Sequence, residues 1–150
     1  MTTPATRAAT VYGVPLEADE RVIYFHRSDP GWEKPFLIVL GILTLFAFIG
    51  FFILYAGISA KTTVYIVTTR RYMIVEGKAV SFIRHGDVKR ATKEVKGKVL
   101  NWYHLRDGRG TTLSWQAQAN PWSMQDRIDL FLADSDAIAS APDVPFEAGR

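Results

Sequence analysis

From Phe36 to Ile58 the chain reads FLIVLGILTLFAFIGFFILYAGI, 23 residues without one Asp, Glu, Lys, Arg, His, Asn or Gln. As one continuous helix rising about 1.5 Å per residue it is about 35 Å long, enough to cross a hydrocarbon core of about 30 Å. Trp32, Glu33 and Lys34 close it on one side and Lys61 on the other, with Tyr55 near the far boundary. Aromatic and basic residues at the ends of an apolar run suit a membrane interface. A buried helix of a soluble core is the alternative, but such helices carry a polar stripe or are much shorter. The stretch therefore predicts a single transmembrane helix. Because it starts at residue 36 and exceeds a signal-peptide core, it reads as a retained anchor, not a cleaved leader.

One crossing divides the rest into an N-terminal segment, 1–35, too short to fold alone, and a C-terminal piece long enough for one small domain at 59–141. Residues 142–150, PDVPFEAGR, read as a flexible tail. With no cysteine, there is no disulfide framework, thiolate metal site or thiol nucleophile. The formal net charge of +3 hides a strong asymmetry: residues 59–109 carry twelve basic residues against four acidic ones, whereas residues 110–150 carry two against six. Basic residues flanking the span tie on its two sides. The larger basic block lies C-terminal, where an anionic cytoplasmic leaflet would attract it, so the C-terminal domain is expected in the cytoplasm.

Before the span, residues 1–10 read as a flexible leader, Val11–Leu16 as a short extended piece around Pro15, and Arg21–His26 as a β-type run closed by Asp29-Pro30-Gly31. After it, short strands take over. Thr62–Thr69 is rich in β-branched residues, and Arg71–Val75 and Ala79–Ile83 flank a turn at Gly77. Val88–Val95 is a charged, alternating run, an edge strand or a short helix. Lys98–Arg106 and Thr111–Ala117 form a second hairpin, in which Tyr103 and Leu105 share one face, Trp102 and His104 the other, and Leu113 and Trp115 fall together. Asn120 and Pro121 open a helix that places Met124, Ile128, Phe131, Leu132 and Ile138 near one face. The domain thus reads as a meander of five or six antiparallel strands closed by one amphipathic helix.

At Val64–Ile74, VYIVTTRRYMI, with Gly77 beyond it, the chain resembles the bacterial pleckstrin-homology-like family of membrane proteins. Phe82–Val88 is similar to that family's I-x-x-x-D-I segment, and Glu20–Arg27 followed by Pro30 to its E-x-x-L-x-x-x-x-P lead-in. The resemblance covers about residues 17–139 and rests on short motifs. It implies a bacterial inner-membrane protein with a seven-stranded PH-like barrel or sandwich and a C-terminal capping helix. Many relatives have two membrane helices before the domain. This chain has length for one, which would leave Arg21–His26 across the membrane from the barrel. The expected fold class is accordingly α+β: one transmembrane helix followed by the PH-like antiparallel domain.

Catalytic constellations are missing. His26, His85 and His104 lie in three segments without zinc spacing, Ser114 lacks a nucleophile-elbow context, and Asp107–Gly110 joins two strands instead of cradling a phosphate before a helix. The chain is expected not to be an enzyme and to need no cofactor or metal. Lys61, Arg70, Arg71, Lys89, Arg90, Lys93, Lys96 and Lys98 are the expected contacts for anionic lipid headgroups or a protein partner. In the span, Thr44, Ala47, Gly50 and Gly57 form a small-residue strip for helix–helix contact. The function expected is a scaffold or adaptor that binds membrane lipids, a protein partner or a second copy, with no nucleic acid. The alternative is an accessory subunit of a larger membrane complex, docked through its transmembrane helix.

Overall fold

The computed structural model describes residues 9–31, 33–44, 49–96, 100–116 and 124–147. The chain is mainly antiparallel sheet with a few short helices. A two-residue pairing of β1 (Thr10–Val11) with β2 (Val14–Pro15) comes first. Its turn residues Tyr12 and Gly13 both have positive φ, 45° and 77°, the geometry of a tight hairpin whose twist matches its strands. Then follow β3 (Val22–Ser28), α1 (Glu33–Leu43), α2 (Ile49–Ser59), β4 (Thr63–Thr68), β5 (Arg71–Glu76) and β6 (Ala79–Arg84). A 3₁₀ turn at His85–Asp87 leads to β7 (Val88–Lys96), β8 (Leu100–Asp107), β9 (Thr112–Gln116), α3 (Met124–Ala133) and α4 (Asp136–Ser140).

Strands β3-β4-β5-β6 form one sheet and β7-β8-β9 a second, all neighbours antiparallel. The core between them holds Ile23, Tyr65, Tyr72, Ile83, Leu105, Leu113 and Trp115, together with Met124, Ile128 and Phe131 of α3. Tyr103 joins strand to helix by donating to Asp129 Oδ1 at 2.6 Å. Leu132, expected on the packed face of α3, is exposed. Asn120 and Pro121 lie outside the described residues.

The outer face of the first sheet is covered too. Val64, Ile66, Met73 and Val75 pack with Val11, Val14, Leu16 and Val144. Burial on both faces explains why β4 and β5 read as continuous apolar runs instead of alternating ones. The cover comes from residues 11–16 and 142–147. Tyr12 N–H donates to the Glu147 carbonyl at 2.8 Å, and Val144 N–H to that of Val22 at 3.0 Å. Residues 142–147, read from composition as a flexible tail, therefore lie against β3, and Val11–Leu16 belongs to the β-domain.

The expected membrane fold is overturned at the apolar run. Among the described residues no helix is long and apolar enough to cross a membrane. The run is a hairpin of α1 and α2, each of 11 residues and so about 16 Å long. The physical reason lies outside it. β3 pairs with β4 in register from Val22↔Thr68 to Ser28↔Thr63, so the chain must leave and re-enter the sheet at neighbouring strand ends. A crossing would carry β3 away from β4 and expose Ile23 and Val22, both buried here. Arg21–His26 accordingly completes the sheet instead of lying across a membrane from it. Strands from the segments 1–35 and 59–141 are thus neighbours in one sheet.

Candidate functional site

Two surfaces stand out: the apolar hairpin and the basic outer face of the second sheet. In the hairpin, glycines set the approach of the two helices. A Cβ on Gly41 would stand 2.7 Å from the backbone N of Leu54, and one on Gly57 3.0 Å from Ile38 Cγ1. Of the small-residue strip, Gly50 and Gly57 are buried, but Gly57 does so between α1 and α2 of this same chain. Thr44 turns its hydroxyl back to the Leu40 carbonyl at 2.7 Å, within its own helical turn. Ala47 lies outside the described residues. Gly41 had no signal in the sequence beyond its helical spacing, because the strip was placed on one helix and not between two.

Every described side chain larger than glycine on α1 and α2 is at least partly exposed. Val39, Ile42, Leu43, Phe51, Phe52 and Ile58 are all more than half exposed, reaching 79% at Phe52. At the root of the hairpin, Thr62 Oγ1 donates to Asp29 Oδ1 at 2.8 Å and Arg27 pairs with Asp29 at 2.9 Å, tying the entering and leaving strands. Lys34 and Lys61 flank the same root.

The Thr-Thr-Arg-Arg stretch plays a different part from the one expected of its arginines. Arg71 is buried on the outer face of the first sheet, donating from Nε and Nη2 to the two oxygens of buried Glu20 at 2.8 and 2.9 Å. Nη2 also reaches the Pro15 carbonyl at 2.8 Å, and the guanidinium lies 5.4 Å from the Phe82 ring centre. Thr68 Oγ1 donates to Glu20 Oε1 at 2.6 Å and accepts from the backbone N–H groups of Arg70 and Arg71, which closes the β4–β5 turn. Burial pushes the Glu20 carboxyl up, but the bonds from Arg71, Thr68 and the Glu17 N–H, with the charge of Arg71, outweigh it and leave its pKa below the ordinary value. Arg71 is therefore a fastener of the N-terminal cover, with no face toward a headgroup. Arg70 is exposed and pairs with Glu17 at 3.3 Å.

Of the remaining expected contacts, Lys61 stands at the hairpin root, and Lys89, Arg90 and Lys93 are exposed along β7. The side chain of Lys96 and all of Lys98 lie outside the described residues. A register shift between Val88 and Arg90 inserts Lys89 as an extra residue opposite β8. Arg90 then stands directly opposite Arg106, a residue that sequence reading left out because only the register brings the two together.

Among the described residues no group of three or more His, Asp or Glu side chains is placed to hold a metal ion. His85 contacts the Thr68 carbonyl through Nε2 at 2.7 Å and packs edge-on against Tyr72. His104 bridges Ser114 Oγ at 2.7 Å and Glu94 at 3.3 Å. A cleft of about 650 Å³ lies along the seam between β6 and the β8–β9 turn. Its Asp107 holds the turn, accepting from the N–H groups of Arg109 and Thr111, and its Arg84 pairs with Glu17 at 2.7 Å. Comparisons with protein-family models, curated proteins and solved structures find no match for this chain.

Proposed function

We propose that this chain is a non-enzymatic scaffold that seats its helical hairpin in one leaflet of a bilayer, without crossing it, and holds a PH-like β-domain at the membrane surface. The exposed apolar hairpin is the observation that carries this reading. An element with no charged residue beyond its first turn, and one that buries little besides glycine, leaves a large apolar surface to be covered, and such surfaces mark interaction sites. Its shape favours lipid over a protein partner. Apolar side chains point outward from both helices, so a partner covering one side would leave the other in water, whereas acyl chains cover all of it. A reach of about 16 Å matches about half of a 30 Å hydrocarbon core, the dimension of an interfacial or re-entrant segment. Lys34, Lys61 and Tyr55 lie where such a segment meets the headgroups.

Seven strands in sheets of four and three, with a helix on their shared core, support the PH-like reading together with the motif at Thr68–Gly77. The accessory-subunit alternative, as a complex docked through a membrane-crossing helix, has lost that helix. Flotation of the full chain with phosphatidylcholine vesicles tests the proposal. The chain should float, and Phe51→Glu with Phe52→Glu should leave it at the bottom of the gradient. A full chain that stays dissolved beside excess vesicles would refute leaflet docking.

A further inference from the structure

The outer face of the second sheet carries a feature that stability does not explain. Arg90 of β7 and Arg106 of β8 are direct cross-strand partners, and Arg106 is in turn opposite Thr112 of β9. The Lys89 bulge produces this arrangement. Val88 and Ala91 both pack toward the core, which plain alternation forbids across an interval of three, so the inserted residue sends Arg90 outward. Like charges directly opposite on neighbouring strands are destabilising. Among the described residues neither arginine has an acidic partner; Arg106 Nε donates to Thr112 Oγ1 at 3.2 Å. Both line one cleft of about 440 Å³ with Thr92, Thr112, His104 and Lys93.

We propose that this cleft binds a phosphate monoester, gripped between the guanidinium groups of Arg90 and Arg106 and capped by the Thr112 hydroxyl. Guanidinium forks match phosphate oxygens two at a time, and two forks on adjacent strands neutralise a dianion while relieving their own repulsion. Thr112 accepts from Arg106, so its own O–H is available to donate to a phosphate oxygen. The acid of the cleft, Glu94, is engaged with His104 and stands four residues along β7 from Arg90, about 13 Å at strand rise. Its carboxylate reaches back to His104, the same-face neighbour of Arg106, so the site is the Arg90–Arg106 end of a cleft that Glu94 also lines. The same chemistry is offered by a lipid headgroup and by a soluble phosphate ester. Only the lipid source rests on the leaflet-docking reading above.

Calorimetric titration of the full chain with sn-glycerol 3-phosphate, and flotation with phosphatidylcholine vesicles doped with either phosphatidic acid or an equal share of phosphatidylserine, test the site. Arg90→Gln with Arg106→Gln should weaken glycerol phosphate binding at least about tenfold, as loss of charge-assisted hydrogen bonds implies, or abolish the preference for phosphatidic acid over phosphatidylserine. The first result assigns a soluble ester, the second a headgroup, and both together a site that takes either. Lys78→Gln with Lys89→Gln removes equal charge from exposed positions outside the cleft lining and should change neither. The Phe51→Glu, Phe52→Glu chain should keep glycerol phosphate binding, which separates this site from the hairpin. If neither probe binds the full chain, or if the lysine pair matters as much as the arginine pair, the site is overturned.

Discussion

At the scale of single residues, the most consequential group is Glu20 with Arg71 and Thr68. Two segments distant in sequence meet there in a buried bidentate pair. Breaking such a pair by removing one partner leaves an uncompensated charge inside, at a cost of about 3–5 kcal/mol. Arg71→Ala should therefore lower the urea midpoint of unfolding sharply. Arg70→Ala, at an exposed pair with Glu17, should cost no more than about 1 kcal/mol. Acid should act through two groups with the same sign. Burial depresses the His85 pKa below 6.5, against the pull of the Thr68 carbonyl and the charge of Glu20, so the unfolded chain takes up a proton that the folded one resists. Glu20, depressed below 4.5, adds stability that is present above that pH and is lost as pH falls through its folded pKa. Stability should decline first below pH 6.5 and again below 4.5. His85→Gln should remove the first decline and Glu20→Gln should lessen the second, to which the lowered carboxyls of Asp29 and Asp107 also contribute, read from unfolding midpoints across pH.

At the scale of elements, most of the strands were legible and the helical run was not. Period-two alternation in 100–116 and β-branched density in 62–76 mark strands because those properties are local. Tyr103 and Leu105 fall inside and His104 partly outside, as alternation requires. An apolar run of 23 residues, by contrast, is compatible with one long helix or two short ones, and hydropathy alone does not separate them. The deciding information sits in Val22–Ser28 and Thr63–Thr68, whose pairing closes the run into a hairpin. The phosphate cleft was hidden for a related reason, since the Lys89 bulge is a matter of register. Arg70 and Arg71, adjacent in sequence, were read alike although one faces water and the other is buried behind the N-terminal cover. Glycine spacing in the hairpin supports a direct test. Gly41→Val places its side chain on the Leu54 backbone and should splay α1 from α2, whereas Gly86→Ala meets nothing within 4 Å. Distance measurements between spin labels at engineered cysteines on the two helices should widen in the first variant and not in the second.

At the scale of the whole molecule, residues 11–16 and 142–147 fold onto one sheet and the apolar hairpin leaves from that sheet and returns to it. The described strands thus lie on one side of any surface the hairpin enters, and residues 11–16 and 142–147 share that side. This placement matters for the leaflet-docking proposal, because the basic face and the hairpin root then meet the same water layer. The most direct measurement uses the cysteine-free chain with Ser28→Cys and Thr63→Cys, the last paired positions of β3 and β4. Antiparallel partners bring Cα atoms to about 4.5–5.5 Å, within the range a disulfide tolerates. Oxidation of the vesicle-treated full chain should give a complete intramolecular disulfide, seen as a shift in non-reducing electrophoresis. Two unreacted thiols that remain separately labelled, as a bilayer crossing between residues 28 and 63 would leave them, would contradict it.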